Sequence, residues 1–86
     1  MGDPTKERHA LEELWRTRML DARKQYEQAK NLCRLAEKIR IDAPFPDGNA
    51  AFLKALRAEN AALDEYRRVL TIFTELLVNR KMPPAE

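Results

Sequence analysis

The stretch Asp42-Ala43-Pro44-Phe45-Pro46-Asp47-Gly48-Asn49 decides the fold, because it is the only interruption in a chain otherwise written for helix. A residue that precedes proline is driven out of the α region, so a helix arriving from the N-terminal side stops near Ile41 or Asp42. The two prolines stiffen an extended turn, and Asp47 or Asn49 can cap a second helix. Phe45, held between them, is expected to fold over the end of the turn. Upstream, no Gly or Pro occurs between Pro4 and Pro44. Asp3 suits the N-cap, Pro4 the first helical position, and Glu7 the positive end of the dipole. Downstream, the helical pattern runs to about Arg80, where Arg80 and Lys81 complement the negative end of the helix. Pro83-Pro84 then stops it.

The sequence therefore predicts one all-α domain over residues 1–86: a helix over about 4–41, a loop over about 42–48, a helix over about 49–80 and a frayed tail. Each helix is roughly 35 residues, or about 50 Å at ~1.5 Å per residue. A loop this short makes the two helices antiparallel neighbours.

Periodicity defines their faces. In the second helix, Leu56, Leu63, Leu70 and Leu77 recur every seven residues. Phe52, Tyr66 and Phe73 run beside them, interrupted by Glu59, and Ala55, Ala62, Val69 and Leu76 form the next column. That apolar face is wider than a single neighbouring helix covers. The first helix is thinner: Trp15, Ala22, Ala29 and Ala36 share one heptad position, with Met19, Tyr26 and Cys33 on one side and Leu11, Leu32 and Ile39 on the other. Folding about Phe45 pairs residues whose numbers add to roughly 90, which sets Ala36 near Ala55, Ala29 near Ala62, Ala22 near Val69, and Trp15 near Phe73 and Leu76. One seam between two helices barely offsets the ordering entropy of the chain, at ~1.5 kcal/mol per residue. The expected architecture is thus an antiparallel two-helix hairpin that dimerises into a four-helix bundle. Its core and interface would comprise Trp15, Ala22, Ala29, Ala36, Phe52, Leu56, Leu63, Tyr66, Leu70, Phe73 and Leu77. A parallel leucine zipper is disfavoured, because its companion core column would hold Phe52, Glu59, Tyr66 and Phe73 rather than β-branched residues.

Composition narrows the function. The 16 basic and 14 acidic side chains nearly cancel, without the one-sided excess of a dedicated nucleic-acid or membrane binder. The most apolar run, Val69 to Val78, contains Glu75 and falls far short of the ~20 residues a membrane span needs. A single cysteine and no visible signal peptide point to a soluble, cytoplasmic protein.

Catalysis has few materials, since the chain contains no Ser, one His and one Cys. His9 and Glu13 share a face but make no metal site by themselves. Cys33 on the edge of the apolar stripe behaves as a small hydrophobe. A catalytic alternative would need a closed polar pocket around Arg18, Gln25 or Glu59. The outer face of the first helix carries Arg16, Arg23, Lys30, Arg34 and Lys38, a possible anion-binding ridge. Glu12 and Glu27 interrupt it, and it has no aromatics for stacking bases. The expected function is a non-enzymatic assembly or protein-interaction module without cofactor or metal. Its partner would be a second copy of itself or another helical protein, and the alternative is a small nucleic-acid-binding bundle.

Overall fold

The computed structural model describes residues 4–42 and 47–84, the side chains of residues 47 and 48 aside. They form two helices in contact, α1 (Pro4–Asp42, 39 residues) and α2 (Asp47–Val78, 32 residues), which establishes the all-α hairpin. The expected N-cap Asp3 and the fold-over of Phe45 lie outside the described residues. α1 ends within one residue of its sequence expectation. α2 is displaced by two residues, starting at Asp47 and ending at Val78.

The earlier stop of α2 has a local cause. Arg80 takes a left-handed φ of 54°, and the Lys81 N–H donates back to the Glu75 carbonyl at 3.1 Å. The Asn79 N–H reaches the same carbonyl at 3.0 Å, and the Asn79 side-chain amide donates to the Glu75 carboxylate at 2.9 Å. Helices commonly end at a residue in this left-handed conformation, a position glycine normally holds. A side chain with a Cβ costs roughly 1–2 kcal/mol there.

Local pairs support both helices. On α1, Arg8 meets Glu12 at 3.3 Å and Arg23 meets Glu27 at 3.5 Å, while Arg16 bonds Glu13 one turn back. On α2, Arg68 makes a forked contact with Glu65, donating at 3.0 and 2.7 Å. Such local helix pairs contribute only a few tenths of a kcal/mol each. The hairpin depends on its seam.

The seam is antiparallel and its register lies within about two residues of the expected pairing. The rings of Tyr26 and Tyr66 stack with centroids 6.1 Å apart, the Arg16 guanidinium lies 5.8 Å from the Phe73 ring, and that of Arg40 lies 4.9 Å from Phe52. Trp15, Ala22, Val69, Phe73 and Leu76 are buried in one cluster, bordered by Leu11, Met19, Tyr66 and Ile72. Trp15 and Leu76 are almost fully enclosed, at 2% and 1% exposure.

All of this cluster sits in the half of the hairpin that carries the chain ends. In the other half, Cys33 is the only buried side chain among the described residues. Ala29, Ala36, Phe52, Ala55, Leu56 and Ala62 are half-buried there. Alanine set against alanine removes little apolar area from water, so this half holds together more weakly. The molecule is a rod of 64 × 20 × 15 Å. Its radius of gyration is 18.2 Å, where a compact domain of this length has about 12 Å.

Two stability measurements check these assignments. Trp15→Ala should cost ~3–5 kcal/mol and remove the cooperative urea transition followed by circular dichroism, whereas Leu32→Ala should change it by less than about 0.5 kcal/mol. Arg80→Gly should raise stability by about 0.5–1 kcal/mol, because glycine enters the left-handed position without a Cβ clash.

Candidate interaction surface

Helix geometry and the cross-helix contacts together place each apolar stripe. Tyr66 and Phe73 meet Tyr26 and Arg16 on one side of the hairpin. Leu63 and Leu70 lie three and four residues from Tyr66, and Leu70 and Leu77 three and four from Phe73, so these leucines continue that side. Outside the seam they are only partly covered: Leu56 and Leu63 are half-buried, and Leu70 and Leu77 expose 38% and 40% of their surface. Four leucines at heptad spacing thus form a ridge along α2, turned about a quarter of the circumference away from α1.

The opposite side of the hairpin carries Arg18, Asp21 and Gln25 of α1 and Glu65 and Arg68 of α2, lining a shallow open groove over Ala22 and Val69. Continuing those α1 columns by seven residues reaches Leu32, Ile39 and, through Gln28, Leu35. Leu32 is 62% exposed, Leu35 54% and Ile39 49%. The apolar surplus is therefore not confined to α2. Each helix has its own exposed apolar flank, and the two flanks lie on opposite sides of the hairpin.

The sequence-predicted core residues divide accordingly. Trp15, Ala22 and Phe73 are buried; Ala29, Ala36, Phe52, Leu56, Leu63 and Tyr66 are half-buried; Leu70 and Leu77 face outward. Of the proposed anion ridge, Arg16 is engaged twice, by Glu13 and by the face of Phe73, and Arg23 is held by Glu27. The columns of Arg16, Arg23 and Lys30 run along the leucine side of the hairpin, not directly opposite its apolar stripe. Arg18, read from sequence as a candidate pocket residue, lays its guanidinium 4.7 Å from the Trp15 ring. Gln25 is exposed and the groove beside it is open, so no closed polar pocket surrounds these groups. Three arginines thus cap the aromatic residues of the seam, contacts worth ~0.5–1 kcal/mol each at exposed sites.

Cys33 and Glu59 are the pairing that sequence reasoning missed. The α1–α2 register brings them together, since their numbers add to the same total as those of the stacked tyrosines. The buried thiol hydrogen-bonds toward the Glu59 carboxylate. Desolvation, then that hydrogen bond, then the charges of Glu59 and Glu37 push the Cys33 thiol above its ordinary 9.0. This is the reverse of what a reactive thiolate requires. At the other extreme, the hydrogen bond from Arg68 draws Glu65 below the usual carboxylate range. Among the described residues no group of three or more His, Cys, Asp or Glu side chains is placed to hold a metal ion, and no helix is long and apolar enough to cross a membrane.

No family model, curated protein or solved structure matches the chain. The surface itself must carry the functional reading. The chain exposes 6724 Å², where a compact monomer of its mass exposes about 5,200 Å². The surplus of about 1,500 Å² is the surface that goes with the rod-like shape.

Cys33 supplies the test of this environment. Alkylation by iodoacetamide should be slow in the folded protein and accelerate in urea, and the native rate should still be climbing with pH where that of the unfolded chain has levelled off. The native state holds the thiol proton more tightly than the unfolded chain does. This contribution to stability is therefore complete below the ordinary thiol value and lost as pH climbs through the raised one.

Proposed function

We propose that the protein is a non-enzymatic helical module that acts by self-association, most simply as a homodimer in which two hairpins form a four-helix assembly around the leucine ridge of α2. The observation that carries this reading is the ridge itself. Leu56, Leu63, Leu70 and Leu77 lie in register along about 32 Å of helix at ~1.5 Å per residue, outside the only seam the monomer has. Contiguous apolar surface of this extent marks interaction sites in soluble proteins. Burying it against a second copy makes a symmetric interface from a single surface patch, the commonest way soluble chains associate.

The polar inventory supports the absence of catalysis from this role. Three of the charged groups near the seam, Arg16, Arg18 and Arg40, cover aromatic rings. The one thiol is buried, with its proton held. The ridge reading of Arg16, Arg23, Lys30, Arg34 and Lys38 as a nucleic-acid contact loses strength where Glu13 and Glu27 neutralise two of the five.

Sedimentation equilibrium at micromolar concentration should return about twice the 10.0 kDa chain mass. A well-folded monomer there would rule the proposal out. Leu63→Arg or Leu70→Arg should abolish association and most of the helicity together, because a buried unpaired guanidinium costs several kcal/mol and the lone hairpin is marginal.

A further inference from the structure

We infer that the flank of Leu32, Leu35 and Ile39 docks an acidic amphipathic helix of another protein, whose apolar stripe lies along this flank with its carboxylates against Lys38, Lys54 and Arg57. The flank lies apart from the leucine ridge and is present whether or not that ridge joins two copies.

The surface spans both helices. Gln25 and Glu65 face each other across the open groove. Seven residues nearer the turn on each helix, the same pairing sets Leu32 against Ala58, and seven further it sets Ile39 against Ala51. All four are exposed. Alanine ends at its Cβ, so the α2 bank is low beside the aliphatic side chains of α1. Leu35 and Ala61, also exposed, widen the strip on either bank. From Gln28 to Asp42 it runs for about 20 Å at ~1.5 Å per residue, close to four helical turns.

Charge names the occupant. Between residues 28 and 41 of α1 and residues 50 and 61 of α2, the only carboxylates are Glu37 and Glu59, and both act on the Cys33 thiol. Glu59 is thereby in the seam, and Glu37, two residues from Ile39, turns about 200° away from it. The flank itself holds cations. Lys38 follows Leu35 by one turn on the α1 bank, and Lys54 and Arg57 stand a turn from Ala51 and Ala61 on the α2 bank. None of the three has an ion-pair partner among the described residues. Arg34 with Lys38, and Lys54 with Arg57, are like-charged neighbours one turn apart, a repulsion that a partner's carboxylates relieve. Asp42 and Asp64 stand at the two ends of the strip and leave its centre cationic. A second copy docking by the same flank sets these cations against themselves, with no carboxylate between to answer them. Three cations give a lipid surface little hold. Cations on both banks of an apolar strip match instead the two charged borders of an amphipathic helix.

Two synthetic peptides of about four helical turns read the partner. Both carry the same leucine stripe at i, i+3, i+4 and i+7 spacing, bordered by glutamates in one and by lysines in the other. Fluorescence anisotropy at low salt should show the glutamate peptide binding at least about tenfold more tightly, with the margin narrowing as salt is added. The double variant Lys38→Glu, Arg57→Glu should reverse that order. Both positions are exposed, so its circular dichroism should match the parent's. Amide resonances around Leu32, Ile39, Ala51 and Ala58 should shift with the glutamate peptide, while those around Leu63 and Leu70 stay in place.

Equal affinities, no binding by either peptide, or shifts centred on Leu63 and Leu70 overturn the assignment. Binding of the flank to phosphatidylserine vesicles in preference to the glutamate peptide overturns it in favour of a lipid contact. Sedimentation separates this flank from the ridge, because the double variant should keep the parent's state of association. A dimer lost with Lys38→Glu, Arg57→Glu would put a second copy on this flank in place of the acidic helix.

Discussion

A hairpin of two helices has one seam, and that constraint governs everything else in this molecule. A helix can turn only about a third of its circumference toward a single neighbour, so any apolar stripe wider than that stays in water. Here the seam takes Trp15, Ala22, Val69, Phe73 and Leu76, and the remaining large aliphatic side chains stay wholly or partly outside it. The aromatic residues at the edge of the seam are protected in another way. Arg16, Arg18 and Arg40 lay their guanidinium planes over Phe73, Trp15 and Phe52, shielding rings that a third helix would cover in a thicker protein. Their long stems also shield apolar surface while their charges stay hydrated.

Much of this was legible in the residue order. Pro44 and Pro46 located the turn, and the glycine-free runs on either side located the helices. The pairing of Ala22 with Val69, and of Trp15 with Phe73 and Leu76, came from loop length alone. What remained hidden depended on how each helix is rotated about its axis. Counting apolar residues made α2 the wide helix and α1 the narrow one. In three dimensions the flank with Leu32, Leu35 and Ile39 is more exposed than the α2 ridge, because the α1 seam is centred on the alanine column. Arg16 read as a cation of the anion ridge, and Arg18 as a candidate pocket residue, for the same reason. One residue of rotation swings a side chain by about 100°, enough to carry a guanidinium from solvent onto a ring. The Cys33–Glu59 contact was hidden because an acid on a core column reads as a register device until its neighbour is known.

The two flanks give the hairpin distinct sides. One side offers uninterrupted leucine beside a row of alternating charge. The other offers Leu32, Leu35 and Ile39 toward the loop, and the hydrogen-bonded polar groups of the Glu65–Arg68 groove toward its middle. The first is the side on which the self-association proposed above would form. Exposed leucine on both sides would also invite indiscriminate sticking, and the polar groove over Ala22 and Val69 breaks the second side into a shorter patch.

The position of the core also sets how the chain must find its fold. Trp15 packs with Leu76, and Ala22 with Val69, so the strongest contacts join the most distant parts of the sequence. The turn lies instead beside the alanine-rich half, where each closing contact gains little. A hairpin usually zips outward from its turn, each rung made cheap by the one before. This one meets its weakest rungs first and reaches its reward only when nearly the whole chain has doubled back. Its folding barrier is therefore largely the entropy of closing a long loop, which makes it a slow folder among small helical proteins.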